Sequence, residues 1–299
     1  MDELISSLPN NIELAYIPLI LFAMFIHFLL EPLRWYLYTT KLFSIDYNRM
    51  FSIFSLTALV SYLLPMKMGL PTRMFLLRKK AGIGILQCST LLMLDGLINY
   101  ACWGITAVTS FYLLVKQDVF EDSFVTIIVT SILTLLLLYF IWKKRRTIIP
   151  KSMNAGIEKM ISNDNSGIKQ LSSEIDRQII FKSLLVMPID IGSHVVHHWA
   201  IFSMLGINLE WGAVFVITTV SIFTGMISMM PMGLGGYDAM LVLLLMQYSI
   251  EPEYAVSIAI INRLTILFIS IVSGIYGGTQ LELNPFKTQW RKLLSSNTQ

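Results

Sequence analysis

Long apolar stretches alternate with short charged ones along this chain, and the charges mark where its elements begin and end. Leu14–Leu30 and Phe124–Trp142 hold no acid or base apart from His27, and about 20 apolar residues suffice to cross the hydrocarbon core of a bilayer. The pattern predicts full crossings at 14–36, 84–115, 123–142, 178–205 and 254–279. Basic residues gather in Arg34–Arg49, Arg78–Lys80, Lys143–Lys151, Lys159–Lys182 and Lys287–Lys292, whereas acids dominate 1–13, 118–122 and 251–253. The positive-inside rule sets the first group in the cytoplasm and the second outside, which requires an external N-terminus and an internal C-terminus.

Two apolar segments do not fit as crossings. Residues 47–80 begin and end beside basic clusters, and residues 210–251 begin and end beside acids. Each is interrupted near its middle, by "YLLPMKMGLPTRMFLLRKK" from Tyr62 and by "MMPMGLGGYDAMLVLLLMQYSI" from Met229. Both are expected to be re-entrant hairpins that enter from opposite faces, because non-helical backbone at that depth is tolerated only inside protein or beside a water-filled cavity. Pro65, Gly69 and Pro71 would shape the first turn, and Pro231, Gly233, Gly235 and Gly236 the second. The expected fold is therefore an all-α polytopic membrane protein with two halves of inverted topology, 1–146 and 178–299, joined by a cytoplasmic linker at 147–177. In the weak alignment of the halves, Pro65 and Gly69 face Pro231 and Gly235, Arg73 faces Asp238, and Asp95 faces Arg263. Inverted repeats with broken segments at corresponding places are the pattern of many secondary transporters.

Composition agrees with this pattern. The chain is 55% hydrophobic and 14% charged, with a mean hydropathy of +0.66, against about 25% charged in a soluble domain. The first apolar run lacks the basic flank of a secretory leader and is expected to be retained. Cys88 and Cys102 fall in one predicted helix about 21 Å apart along its axis, too far for a disulfide. No phosphate-binding loop, dinucleotide loop or nucleophile elbow occurs, so neither a cofactor nor a nucleic-acid partner is expected.

Charges at bilayer depth cost about 2.5–3.5 kcal/mol each on insertion scales. Lys67, Arg73, Asp95, Asp238 and Arg263 are therefore candidates for substrate contact, the arginines because their planar fork suits phosphate. The competing expectation is structural pairing, Arg73 with Asp238 and Asp95 with Arg263. In "DIGSHVVHHWA", Asp190, His194 and His198 stand at i, i+4 and i+8 on one helix face. Such a set could ligate zinc or carry protons. With no fourth ligand evident, a proton or pH role is expected rather than a metal.

The stretches "RWYLY" at Arg34–Tyr38, "LLPMKMGLPTRMFLLRKKAGI" at 63–83, Asp95, and "MPMGLGGYDAMLVLLL" with the later Asn262 and Arg263 resemble the lysylphosphatidylglycerol synthase transmembrane-region family, also described as flippase-like. The resemblance spans nearly the whole chain. It departs from the family's usual pattern at Leu70 (an acid), at Gly96 (an arginine) and at Asp238 (a glutamate). The resemblance implies a lipid translocase that moves an amphiphilic lipid, with an anionic phosphate headgroup, between leaflets. Lipid aminoacylation in that family belongs to a separate soluble domain, so aminoacyl transfer is not expected here. The alternative it leaves is a glycosyltransferase-like enzyme, or an accessory membrane component of glycolipid or envelope lipid biosynthesis. Expected partners are a membrane lipid, biosynthetic enzymes of that kind and further copies of the chain, in the plasma membrane of a prokaryote.

Overall fold

The computed structural model describes residues 13–40, 43, 45–63, 68–115, 177–228 and 235–281. These residues form eight α-helices and one 3-10 turn, Leu14–Tyr16, and no strand among them. In chain order the helices are α1 (Ile17–Thr39), α2 (Tyr47–Leu63), α3 (Gly69–Ala81), α4 (Ile85–Val115), α5 (Arg177–Met204), α6 (Trp211–Ile227), α7 (Gly236–Gln247) and α8 (Pro252–Gln280). The expected all-α class holds. The crossing predicted at 123–142, the linker, and Pro65, Lys67, Pro231 and Gly233 lie outside the described residues.

Leu14–Thr39, Gln87–Tyr112 and Pro252–Gln280 are each long and apolar enough to cross a membrane. Helix α5 has 28 residues and is not among the three, because Arg177, Lys182, Asp190 and its histidines dilute its apolar character. Met93, Leu97, Leu264 and Ile275 point outward, between 58% and 77% exposed, as lipid-facing side chains do. The chain is an integral membrane protein.

Local chemistry explains where the helices stop. After α3, Gly82 adopts φ +71°. This lets its N–H reach Arg78 O (3.2 Å) and lets the Ile83 N–H reach back to Leu77 O (3.3 Å), the left-handed cap that glycine permits. Arg78, Lys79 and Lys80 occupy the last turn, where cations favour the carbonyl end of the helix dipole. At the start of α7, Gly235 has φ +84° and donates its N–H to Asp238 Oδ2 at 3.3 Å, so an acid sits in the first turn where it suits the dipole.

Helix α1 packs on α5, α2 on α8 and α4 on α6, while α2 packs on α3 and α6 on α7 within the two broken segments. Small residues permit these close approaches. A Cβ on Gly274 would lie 2.6 Å from Leu59 Cβ, and one on Gly277 would collide with the Ser52 carbonyl oxygen, so both glycines are required where α8 crosses α2. A Cβ on Gly104 would lie 2.8 Å from the Phe223 ring where α4 meets α6.

The ends of the first broken segment meet. Arg49 at the start of α2 donates to Lys80 O at the end of α3 (3.3 Å), and Lys80 Nζ donates to Leu281 O after α8 (2.7 Å). At another end of the bundle the Glu13 N–H bonds Met204 O at 3.0 Å, and Trp199 stacks on Trp211 with centroids 5.0 Å apart.

Candidate functional site

The helices line a partly open cavity of about 410 Å³ whose wall carries Glu31, Arg73, His194, His198, Tyr237 and Arg263, among others. These six come from α1, α3, α5, α7 and α8, so residues far apart in sequence share one surface. Three groups of charges surround it.

The first is Arg73 with Glu31. Arg73 Nη1 donates to Glu31 Oε1 at 2.8 Å, its Nε donates to Thr57 Oγ1 at 3.3 Å, and its guanidinium lies 3.9 Å from the centre of the Phe54 ring. The second is Arg263 with Asp238, a two-pronged pair in which Nε and Nη2 each donate to a different carboxylate oxygen at 2.9 Å. Arg263 also stands over the Tyr237 ring at 5.3 Å. Each arginine thus has an acid on its edge and an aromatic face near its plane, the arrangement in which guanidinium is best accommodated away from water.

The third group is buried behind the cavity. Arg34, 2% exposed, donates to Asp95 Oδ1 through Nε and to Asp190 Oδ2 through Nη1, both at 3.2 Å. The second oxygen of Asp95 accepts from the Trp35 indole at 3.2 Å. Asp190 Oδ1 lies 2.6 Å from His27 Nδ1. One arginine therefore ties together α1, α4 and α5.

Two further histidines have their tautomers fixed by carbonyls, which only accept hydrogen bonds. His198 donates from Nδ1 to His194 O (2.8 Å), so its Nε2 accepts from the Tyr237 hydroxyl (2.5 Å). His197 donates from Nδ1 to Ile20 O (3.1 Å), and its Nε2 lies 3.0 Å from Asn262 Oδ1, a contact that becomes a hydrogen bond when the amide is turned to present its NH2 group.

The structure re-sorts the charges expected from the sequence. Arg73 and Arg263 line the cavity, Asp238 pairs with Arg263 and Asp95 lies behind with Arg34, so the expected pairing of Arg73 with Asp238 and of Asp95 with Arg263 is overturned. Asp238 is one turn into α7, directly against α8 and its Arg263, and Asp95 on α4 faces α1. Asp190 and His194 do not complete their group with His198, which turns toward Tyr237; their companion is His27. Gly69, Gly235 and Gly236 sit at the breaks, with Gly236 so close to α6 that a Cβ would lie 2.6 Å from Ser228 Cβ. Pro71 is an exposed residue in the first turn of α3, where proline costs no hydrogen bond. Leu70, in place of an acid, lines the cavity.

Sequence reasoning missed His27, Glu31 and Arg34 as site residues. The signal was present: in "HFLLEPLR" they stand at i, i+4 and i+7, one face of a helix. An ionisable stripe on an otherwise apolar crossing must face the interior of the bundle.

No curated protein and no solved structure matches the chain. A family model does match, over residues 2–274 of the 299, and its subject is a membrane region named for lipid chemistry, which suits a helical bundle around a polar cavity. The chain belongs to the family described as the lysylphosphatidylglycerol synthase TM region, and so to the membrane proteins of lipid metabolism or transport.

Proposed function

We propose that the protein translocates an amphiphilic lipid with a phosphate-bearing headgroup between leaflets of a prokaryotic plasma membrane. The observation that carries this reading is the cavity itself, into whose wall both Arg73 and Arg263 are set from opposite ends of the chain. A headgroup entering it would meet two guanidinium forks, each able to exchange its carboxylate partner for a phosphate.

The broken segments support alternating access. Helices α2, α3, α6 and α7 have 17, 13, 17 and 12 residues, or about 25, 20, 25 and 18 Å at 1.5 Å per residue. Each falls short of a hydrocarbon core of about 30 Å, and the first pair returns to its starting side through the Arg49–Lys80 contact. We read both pairs as re-entrant hairpins of an inverted repeat. Exchanging α1 with α5, α2 with α6, α3 with α7 and α4 with α8 turns every packed pair of these helices into another packed pair. Gly69 lies against Ser61 and the Thr57 carbonyl as Gly236 lies against Ser228 and the Thr224 carbonyl, which matches Gly69 to Gly236 rather than to the Gly235 of the sequence alignment. His27 and His194 are 167 residues apart, the same separation as Gly69 and Gly236, and these two histidines touch each other, as equivalent residues do beside a two-fold axis.

The carboxylates Glu31, Asp95, Asp190 and Asp238 are each engaged by an arginine or a histidine, which weighs against a glycosyl-transferring enzyme in need of a free acid. The test is translocation of fluorescent phospholipids in proteoliposomes. Arg73→Gln and Arg263→Gln should each slow translocation at least tenfold while the protein stays folded, and Arg73→Lys should restore only part of it, because charge returns without the fork. Wild-type rates in both glutamine variants would reject the headgroup role.

A further inference from the structure

His27 Nδ1 faces two partners at once, Asp190 Oδ1 at 2.6 Å and His194 Nε2 at 3.1 Å. One ring nitrogen carries at most one proton, so it cannot make a full hydrogen bond as donor to the carboxylate and as acceptor from the second ring. Three lone-pair-bearing atoms, from His27, Asp190 and His194, instead converge within 4.8 Å of one another. We propose that His27, Asp190 and His194 form a binding site for one divalent transition-metal ion, with a coordination position open to the cavity.

The geometry suits such an ion. Zinc holds imidazole nitrogen and carboxylate oxygen at about 2.0–2.2 Å in a tetrahedron, which places ligand atoms about 3.3 Å apart. The spacing of His27 and His194 is already close to that, and the shorter contact from Asp190 to His27 is that of a shared proton, which an ion would displace. Two imidazoles and a carboxylate are a donor set that zinc, iron or cobalt accepts, and one that magnesium or calcium, which favour all-oxygen shells, does not.

The surroundings are those of a metal ligand set. Asp190 is held through its other oxygen by Arg34 (3.2 Å), an outer partner that fixes the carboxylate's direction. His194 presents its ring to the edge of Trp103 at 5.4 Å, and His27 meets Phe28 edge-on at 5.8 Å. His27 and His194 also line the cavity, while Asp190 is 2% exposed behind them. An ion there would keep its fourth position toward the cavity, for water or for a phosphate oxygen. Charge agrees: Arg34 faces two carboxylates, Asp95 and Asp190, so with neutral imidazoles the buried cluster carries a surplus negative charge that a cation would answer. Sequence reading stopped at three residues of α5 because the third ligand, His27, lies 163 positions from Asp190.

The site stands on side-chain geometry and needs no lipid, so it is tested apart from transport. Protein purified without a histidine tag and stripped with chelator is titrated with zinc, and cobalt is added separately for its visible spectrum. One zinc per chain, proton release on binding and an intense four-coordinate cobalt spectrum are expected. His27→Ala and His194→Ala should weaken zinc binding at least about 100-fold, since loss of outer partners alone costs about 10–100-fold. His198→Ala should bind within twofold of wild type. Each variant is compared at matched unfolding midpoint, with His194→Gln in reserve if the alanine variant does not fold. Absence of stoichiometric zinc from folded wild-type protein, or undiminished binding in the His27 and His194 variants, would overturn the proposal.

Discussion

Replacing Arg34 by methionine should damage the protein more than any other single change at the site. Methionine keeps much of the stem's packing, so the perturbation isolates the charge. Arg34 and Asp95 are 2% and 6% exposed, and Arg34 is the cation within hydrogen-bond reach of both Asp95 and Asp190. Without it, Asp190 keeps His27 at 2.6 Å, whereas Asp95 keeps the neutral donors Trp35 and Asn99. The result is a buried carboxylate with no counter-charge, and removing one partner of such a pair costs about 3–5 kcal/mol. Adding Asp95→Asn removes the orphaned charge while leaving an amide oxygen to accept from the Trp35 indole, so about half the loss, roughly 2 kcal/mol, should return. Asp95→Asn placed beside Arg263→Ala should rescue nothing, because Arg263 pairs with Asp238. Equilibrium unfolding by SDS in mixed micelles measures all four variants on one scale. Unchanged stability in Arg34→Met, or no recovery in its double variant with Asp95→Asn, would refute the reasoning.

Two other outcomes are expected. Gly277→Val should loosen α8 from α2 by about 1–3 kcal/mol, the usual cost of overpacking, because its Cβ would collide with the fixed carbonyl of Ser52; Gly278→Val, with only Leu56 Cδ1 near at 3.8 Å, should cost markedly less in the same unfolding assay. A single cysteine at Lys79, in a background lacking Cys88 and Cys102, should resist a membrane-impermeant reagent added outside cells, whereas one at Glu253 should react. The reverse result would make α2 and α3 a true crossing and end the inverted arrangement.

The described helices were legible from the sequence to within a few residues, because their limits are set by charges and by glycine. The predicted crossing at 254–279 became Pro252–Gln280, and the one at 84–115 became Ile85–Val115. Both broken segments proved to be two helices, as the Pro and Gly clusters implied. The site was half legible. A charge in an apolar run announces itself, so Arg73, Asp95, Asp190, Asp238 and Arg263 could be found by inspection. Who pairs with whom could not, since that depends on which helices touch. The expected repeat suggested partners across the halves, but Arg263 pairs with Asp238 on the adjoining helix α7. His27, Glu31 and Arg34 escaped notice for a different reason. Arg34 opens the basic cluster that runs to Arg49, so the sequence alone reads it as a topology signal rather than as an interior charge.

On the proposed transport function, the pairing also explains how such a cavity would release its cargo. A bare guanidinium in a low-dielectric pocket would hold a phosphate strongly, since the attraction grows as the dielectric falls. A transporter needs binding that is favourable enough to admit its cargo and weak enough to let it leave. Here Arg73 and Arg263 already have their carboxylates, Glu31 at 2.8 Å and Asp238 at 2.9 Å. A phosphate that displaces either acid exchanges one charge-assisted hydrogen bond for another, so the net gain is small although each contact is strong. Both acids are partly exposed, at 32% and 27% of their side chains, and a displaced carboxylate can turn to water in the cavity without a large desolvation cost. Arg34 has no such freedom, being 2% exposed and shared between two acids. On the transport reading the two cavity arginines are the exchangeable contacts and Arg34 is the fixed pin on which α1, α4 and α5 are assembled. Glu31→Gln should therefore bind the lipid more tightly and turn over more slowly, the opposite of Arg73→Gln, which should lose binding. If Glu31→Gln and Arg73→Gln weaken lipid binding alike, the acid belongs to the binding surface itself and the exchange argument is wrong.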